Sequence, residues 1–126
     1  MYRFRIKDSA NGQYRVVFTY NSEPMVWSEN YTTKASAKNC IESIKDNAPS
    51  APIVDVSVGE SASGYRFEIV EAVNGQFFTR FKASNGETMV WSETYTSKQN
   101  AKNCATSVTN NAKDAEIVDE TKSKAA

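Results

Sequence analysis

The sequence predicts an α+β protein built from two tandem β-β-β-α-β repeats that fold as one pseudo-twofold domain. Three observations predict it. First, the chain repeats itself: Met25-Val26-Trp27-Ser28-Glu29-Asn30-Tyr31-Thr32-Thr33-Lys34 returns as Met89-Val90-Trp91-Ser92-Glu93-Thr94-Tyr95-Thr96-Ser97-Lys98, and Ala37-Lys38-Asn39-Cys40 returns as Ala101-Lys102-Asn103-Cys104. Second, within each copy the hydrophobic period changes from two to the helical 3.6. Third, each copy has only ~55 residues, a size at which one core is marginal, so two copies gain by burying apolar faces against each other. Two copies are too few for a solenoid, which generally needs at least about three.

Tyr2–Asp55 aligns with Tyr65–Asp119, with one residue inserted near Gly86. In the first copy Tyr2, Phe4 and Ile6 alternate with Arg3, Arg5 and Lys7, the pattern of a half-buried strand. Ala10-Asn11-Gly12 supplies turn chemistry, because Asn and Gly tolerate positive φ. Tyr14 to Tyr20 reads as a second strand, and the segment around Met25 to Ser28 as a third. Tight turns make these three an antiparallel meander.

A helix follows, with Thr33 and Ser97 as N-caps of the two copies. Ala37, Cys40, Ile41, Ile44 and Ala48 share one helical face. The matching face of the second copy, Ala101, Cys104, Ala105, Val108 and Ala112, is smaller and is expected to contribute less stability. Pro49 and Pro52 stop the first helix, and Ile53 to Val58 reads as a fourth strand. The expected organisation is a first repeat over 1–58, a linker over 59–64, a second repeat over 65–119 and a flexible tail over 120–126.

Fifteen Lys and Arg balance fifteen Asp and Glu, with no polybasic or acidic block. Net charge therefore does not favour wholesale phosphate or membrane-surface binding. No apolar run is long enough for a transmembrane helix, and the charged N-terminus does not read as a signal peptide. A cytoplasmic protein is expected. Cys40 and Cys104 read as small buried hydrophobes, one per helix. Asn30-Tyr31-Thr32 matches a glycosylation sequon but is broken in the second copy by Thr94, and is read as accidental.

Histidine is absent, which removes the commonest general base and metal ligand. No nucleophile elbow, P-loop or dinucleotide fingerprint occurs. The expectation is a non-catalytic binding or interaction module with no catalytic residue, metal or cofactor and no identified partner, monomeric because both repeats lie in one chain. Within the repeated segment, Trp27, Glu29, Tyr31 and Lys34 with Trp91, Glu93, Tyr95 and Lys98 are the candidates for a symmetric groove. The competing reading is structural, since a strand-to-helix junction has demanding geometry of its own. An enzyme using the repeated Glu, Tyr and Lys is the less favoured alternative.

A second candidate surface is nucleic-acid-binding: Arg3, Arg5 and Lys7 of the first strand with Arg15 opposite. The aromatics of that strand point to the other face, and Glu68 replaces Arg5 in the second copy. A solvated outer face is the simpler expectation for these residues.

The motif Trp-Ser-Glu-x-Tyr-x-[Ser/Thr]-Lys, followed by Ala-Lys-Asn-Cys and a closing Ala-x-Ile-Val-Asp, resembles the YegP-like family, also called DUF1508 or UPF0339. The matching residues are Ser28-Glu29-Asn30-Tyr31, Lys34, Ser43, Asn47-Ala48 and Asp55, with their second-copy partners. Cys40 and Cys104 depart from it, near where relatives commonly carry Gly. The resemblance implies that the two units share a single antiparallel sheet and exchange their C-terminal strands. Ile53 to Val58 would then pair with the second unit, and Glu116 to Asp119 with the first. It implies no established activity.

Overall fold

The structure, a computed structural model, describes residues 1–122. The strands are β1 (Tyr2–Asp8), β2 (Tyr14–Tyr20), β3 (Glu23–Trp27), β4 (Ile53–Asp55), β5 (Arg66–Glu71), β6 (Phe77–Lys82), β7 (Thr88–Trp91) and β8 (Glu116–Asp119). The helices are α1 (Lys34–Asn47) and α2 (Lys98–Asn111). All strands belong to one eight-stranded sheet in the order β4-β5-β6-β7-β3-β2-β1-β8. Each repeat contributes an antiparallel meander, and the two meet at the centre, where Trp27 of β3 faces Trp91 of β7.

The C-terminal strands are exchanged. β4 of the first repeat lies parallel to β5, and β8 of the second lies parallel to β1. The sheet is therefore mixed: the meanders are antiparallel, and the exchanged strands add one parallel pair at each edge. Across each helix the chain reverses direction, so β4 runs opposite to β3 and β8 opposite to β7, and each exchanged strand comes to lie parallel to the first strand of the other repeat.

Both helices pack on the same face of the sheet. Phe4, Ile6, Val16, Phe18 and Val26 meet Ala37, Ile41 and Ile44 of α1, all buried. Phe67, Ile69, Phe81 and Val90 meet Ala101, Ala105 and Val108 of α2 in the same cluster. The Thr33 hydroxyl accepts from the Ser36 N–H (3.0 Å), and the Ser97 hydroxyl from the Asn100 N–H (3.1 Å), so both expected caps form.

Two segments differ from the sequence reading. The fourth strand was expected over Ile53 to Val58 but ends at Asp55, whose carboxylate accepts from the Ser57 N–H (3.0 Å) and turns the chain into a short 3-10 segment. Gly59, at φ 88°, completes the turn. Of the expected tail, Glu120 to Lys122 are tied down. The Glu120 N–H donates to the Ile6 carbonyl, Thr121 is buried, and the Lys122 N–H reaches the Asp8 carboxylate (2.9 Å). Residues 123–126 lie outside the described residues.

Candidate functional site

The repeated segment divides its residues among three places. Ser28 is internal scaffolding: its hydroxyl accepts from the Val16 N–H (2.9 Å) and donates to the Glu29 carbonyl (2.8 Å). Ser92 repeats this with Thr79 (3.0 Å) and Glu93 (2.7 Å). The backbones of Tyr31 and Tyr95 then bond those of Tyr14 and Phe77, which sets the entry to each helix.

Lys34 and Lys98 hold the exchanged strands. Lys34 Nζ lies 3.1 Å from Asp119 of β8, and Lys98 Nζ lies 2.9 Å from Asp55 of β4. Each lysine, at the start of one repeat's helix, therefore clasps the last strand of the other repeat. The Thr121 hydroxyl and backbone N–H, then Lys34, hold Asp119 down at about 2 against its burial. Desolvation acts upward on Asp55, but the Ser57 hydroxyl and Lys98 overcome it and leave the carboxyl below its ordinary value. The lysines are thus placed apart from the Glu and Tyr with which the candidate groove of the sequence reading grouped them.

Glu29 and Tyr31 line one groove, and Glu93 and Tyr95 another, on the helix side of the sheet. Each groove is completed by the opposite repeat. Tyr65, Glu87 and Met89 close the first; Tyr2, Tyr20, Glu23 and Met25 close the second. The strand register shifts beside Phe18 and beside Phe81, leaving Met25 and Met89 without a cross-strand partner. Such bulges turn side chains out of the regular alternation. These closing residues were not among the sequence candidates. Their signal was identity across repeats, as at Tyr2/Tyr65, Glu23/Glu87 and Met25/Met89.

Trp27 and Trp91 lie on the other, uncovered face, because their strand neighbours Val26 and Val90 point into the core. Cross-strand register puts Arg3, Arg5, Lys7, Arg15 and Val17 on the same face from the first repeat, and Arg66, Glu68, Phe78, Arg80 and Lys82 from the second. The aromatics of β1 do face the core, but the tryptophans supply rings beside the basic residues.

Among the described residues, seven cations on this face meet three carboxylates: Glu68, Glu116 and Glu120. Glu68 is buried among Arg66 (3.0 Å), Arg80 (2.8 Å) and Lys82 (4.0 Å); desolvation acts upward on it, but Arg80 and then Arg66 hold its carboxyl below the usual range. Arg3 pairs with Glu116 (3.3 Å), and Arg5 and Lys7 both reach Glu120. Among the described residues, a neutral chain thus carries a face with a surplus of three to four positive charges, depending on whether Asp8 of the cleft is counted with it. Beside Trp27 it opens into a cleft of about 490 Å³ lined by Lys7, Asp8, Ser9, Arg15, Val17 and Pro24.

A profile of the family described as a domain of unknown function (DUF1508) matches residues 9–55 and 72–119. UPF0339 protein Msl4696 of Mesorhizobium japonicum is 52% identical over 56 residues, 44% of this chain and 97% of that protein. UPF0339 protein YegP of Escherichia coli K12 is 29% identical over 119 residues, 94% of this chain and 96% of that protein. The solution structure of Escherichia coli yegP, a protein of unknown function, superposes with a TM-score of 0.77 at 29% identity, covering 97% of this chain and 95% of that one. UPF0339 protein SO3888 of Shewanella oneidensis superposes equally well (0.77, 29% identity), covering 95% and 92%. The two matches of the family profile and the relatives spanning both repeats establish that this chain belongs to the DUF1508 (UPF0339) family, a family without an assigned function.

Proposed function

We propose that this protein is a non-catalytic binding module of the cytoplasm that holds single-stranded nucleic acid across the uncovered face of its sheet. The observation that carries the reading is the Trp27–Trp91 pair at the sheet centre, set among seven cations and three carboxylates. Backbone phosphates favour such a surplus, and unpaired bases stack on aromatic rings whatever their sequence. Six strands, β1 to β5 through the centre, span about 24 Å at ~4.8 Å per strand. A sheet face of that width suits a single strand better than a duplex, whose bases are read by elements that enter its grooves.

Arg15 carries most weight among the cations, because its side chain makes no ion pair and its Nε is buried without a hydrogen-bond partner, among the described residues. Phe78 takes its place in the second repeat, so the basic cleft belongs to the first half and the second offers another ring. The division of the repeated Glu, Tyr and Lys between grooves and ion pairs supports the non-catalytic part. Two free thiols on separate helices fit a reducing compartment.

The test is fluorescence anisotropy of a labelled oligothymidylate of about 12 nucleotides, within the ~4–16 nucleotides that single-strand sites cover. The logarithm of the affinity should fall linearly with the logarithm of salt, and Arg15→Ala should weaken binding and lower the slope by about 0.7, the share of one phosphate. Salt-independent binding, or preference for a duplex of the same length, would contradict the proposal.

A further inference from the structure

The two grooves on the helix side carry the opposite chemistry to the sheet face. The first, of about 240 Å³, has Glu29 and Glu87 at exposed positions and Tyr31, Tyr65 and Met89 as walls. The second, of about 330 Å³, has Glu23 and Glu93 with Tyr2, Tyr95 and Met25, and adds Tyr20 where the first has Ala83. Among the described residues, no lysine or arginine lines either groove. Five of these positions keep the same residue in both repeats, although about half of all aligned positions have changed.

We infer that each groove binds the head of an organic ammonium ion, with the charge held by the paired carboxylates and the methyl or methylene groups against tyrosine and methionine. A weakly hydrated organic cation gains from ring faces and carboxylates together. The rings are already ordered. Tyr65 stacks on Phe81 at 5.9 Å, Tyr2 stacks on Phe18 at 5.6 Å and meets Tyr20 at 4.7 Å. The bulges that turn Met25 and Met89 out of register do so at the same place in both repeats. Burial, the neighbouring Cys40 and the charges of Glu29 and Glu87 keep the Tyr31 phenol protonated at any physiological pH. Burial, Cys104 and Glu93 do the same for Tyr95. The negative charge of each groove thus resides on its carboxylates.

The methionines give each groove its own reporter. The intact protein, labelled at the methionine methyls, is titrated with choline and separately with its neutral isostere 3,3-dimethylbutan-1-ol, at constant ionic strength. Choline should shift the Met25 and Met89 methyls saturably, with the Met25 site about two- to fivefold tighter because of its extra ring. Glu93→Gln should weaken the Met25 response at least about fivefold and leave Met89 unchanged, and Glu29→Gln should do the reverse. Equal binding of the isostere, the absence of a saturable shift, or indifference to both glutamine variants would each overturn the inference. Arg15→Ala, which tests the sheet face, should leave the choline response intact, so the two readings stand or fall separately.

Discussion

Single residues show how one architecture is held by two unequal copies. Thr79 occupies the position of Val16, fully buried on the helix side, and its hydroxyl has no hydrogen-bond partner among the described residues. An unmet buried hydroxyl costs about 1–3 kcal/mol. Thr79→Val should therefore stabilise the protein by roughly 1 kcal/mol in urea unfolding, and a loss of stability would show that the hydroxyl is satisfied. Part of this scale was legible in the sequence. The period-two alternation that sends Val26 inward requires Trp27 to point outward, so the separation of the tryptophans from Glu29 and Tyr31 follows from the strand itself. The turn of Met25 to the helix side was not legible, because a bulge depends on the register of two strands rather than on one segment.

The helices and exchanged strands carry the difference between the repeats. α1 buries Ile41 and Ile44 where α2 buries Ala105 and Val108. Ile44→Ala should cost roughly 2–4 kcal/mol, whereas Val108→Ala removes less buried hydrocarbon and should cost about half as much. Equal costs in denaturant titrations would mean that the second helix repacks to compensate. The apolar faces and N-caps of both helices were readable from spacing alone, since the helical period is local.

The clasp of each helix on the other repeat's last strand was not readable, because Lys34 and Asp119 are brought together only by the exchange. Asp119 has a folded value of about 2 against 3.8 when unperturbed. A carboxylate with a depressed folded value contributes fully above the unperturbed value and loses its contribution as pH falls through the folded one. Stability should therefore decline between about pH 4 and pH 2. Asp119→Asn should lower stability at neutral pH and flatten this decline, as followed by unfolding midpoints across the pH series. An unchanged acid profile would mean that other carboxylates govern it.

At the scale of the whole molecule, each repeat is completed by the other. β1 lacks its outer neighbour without β8, and β5 lacks its own without β4. A fragment of residues 1–58 should not persist as a folded monomer; it should homodimerise or unfold. A monomeric half with native-like spectral dispersion, measured by sedimentation and NMR, would refute the cooperative unit. The tandem arrangement and its closure were legible because repetition is explicit and the core of a single copy is marginal. The functional faces were less so. Net charge, being zero, concealed, among the described residues, a basic sheet face and grooves lined by carboxylates and neutral side chains, because charge segregates by face and not along the chain.

The protein contains only two tryptophans, and both lie at the centre of the proposed binding face. Tryptophan emission, excited selectively over that of the six tyrosines, therefore reports on that face. The most direct measurement is a titration of the unmodified protein with oligothymidylate at about 50 and 200 mM salt. Saturable quenching that weakens several-fold at the higher salt is the predicted result. Undiminished fluorescence at saturating oligonucleotide, or quenching that ignores salt, would contradict a single-strand platform built on Trp27, Trp91 and the cations around them.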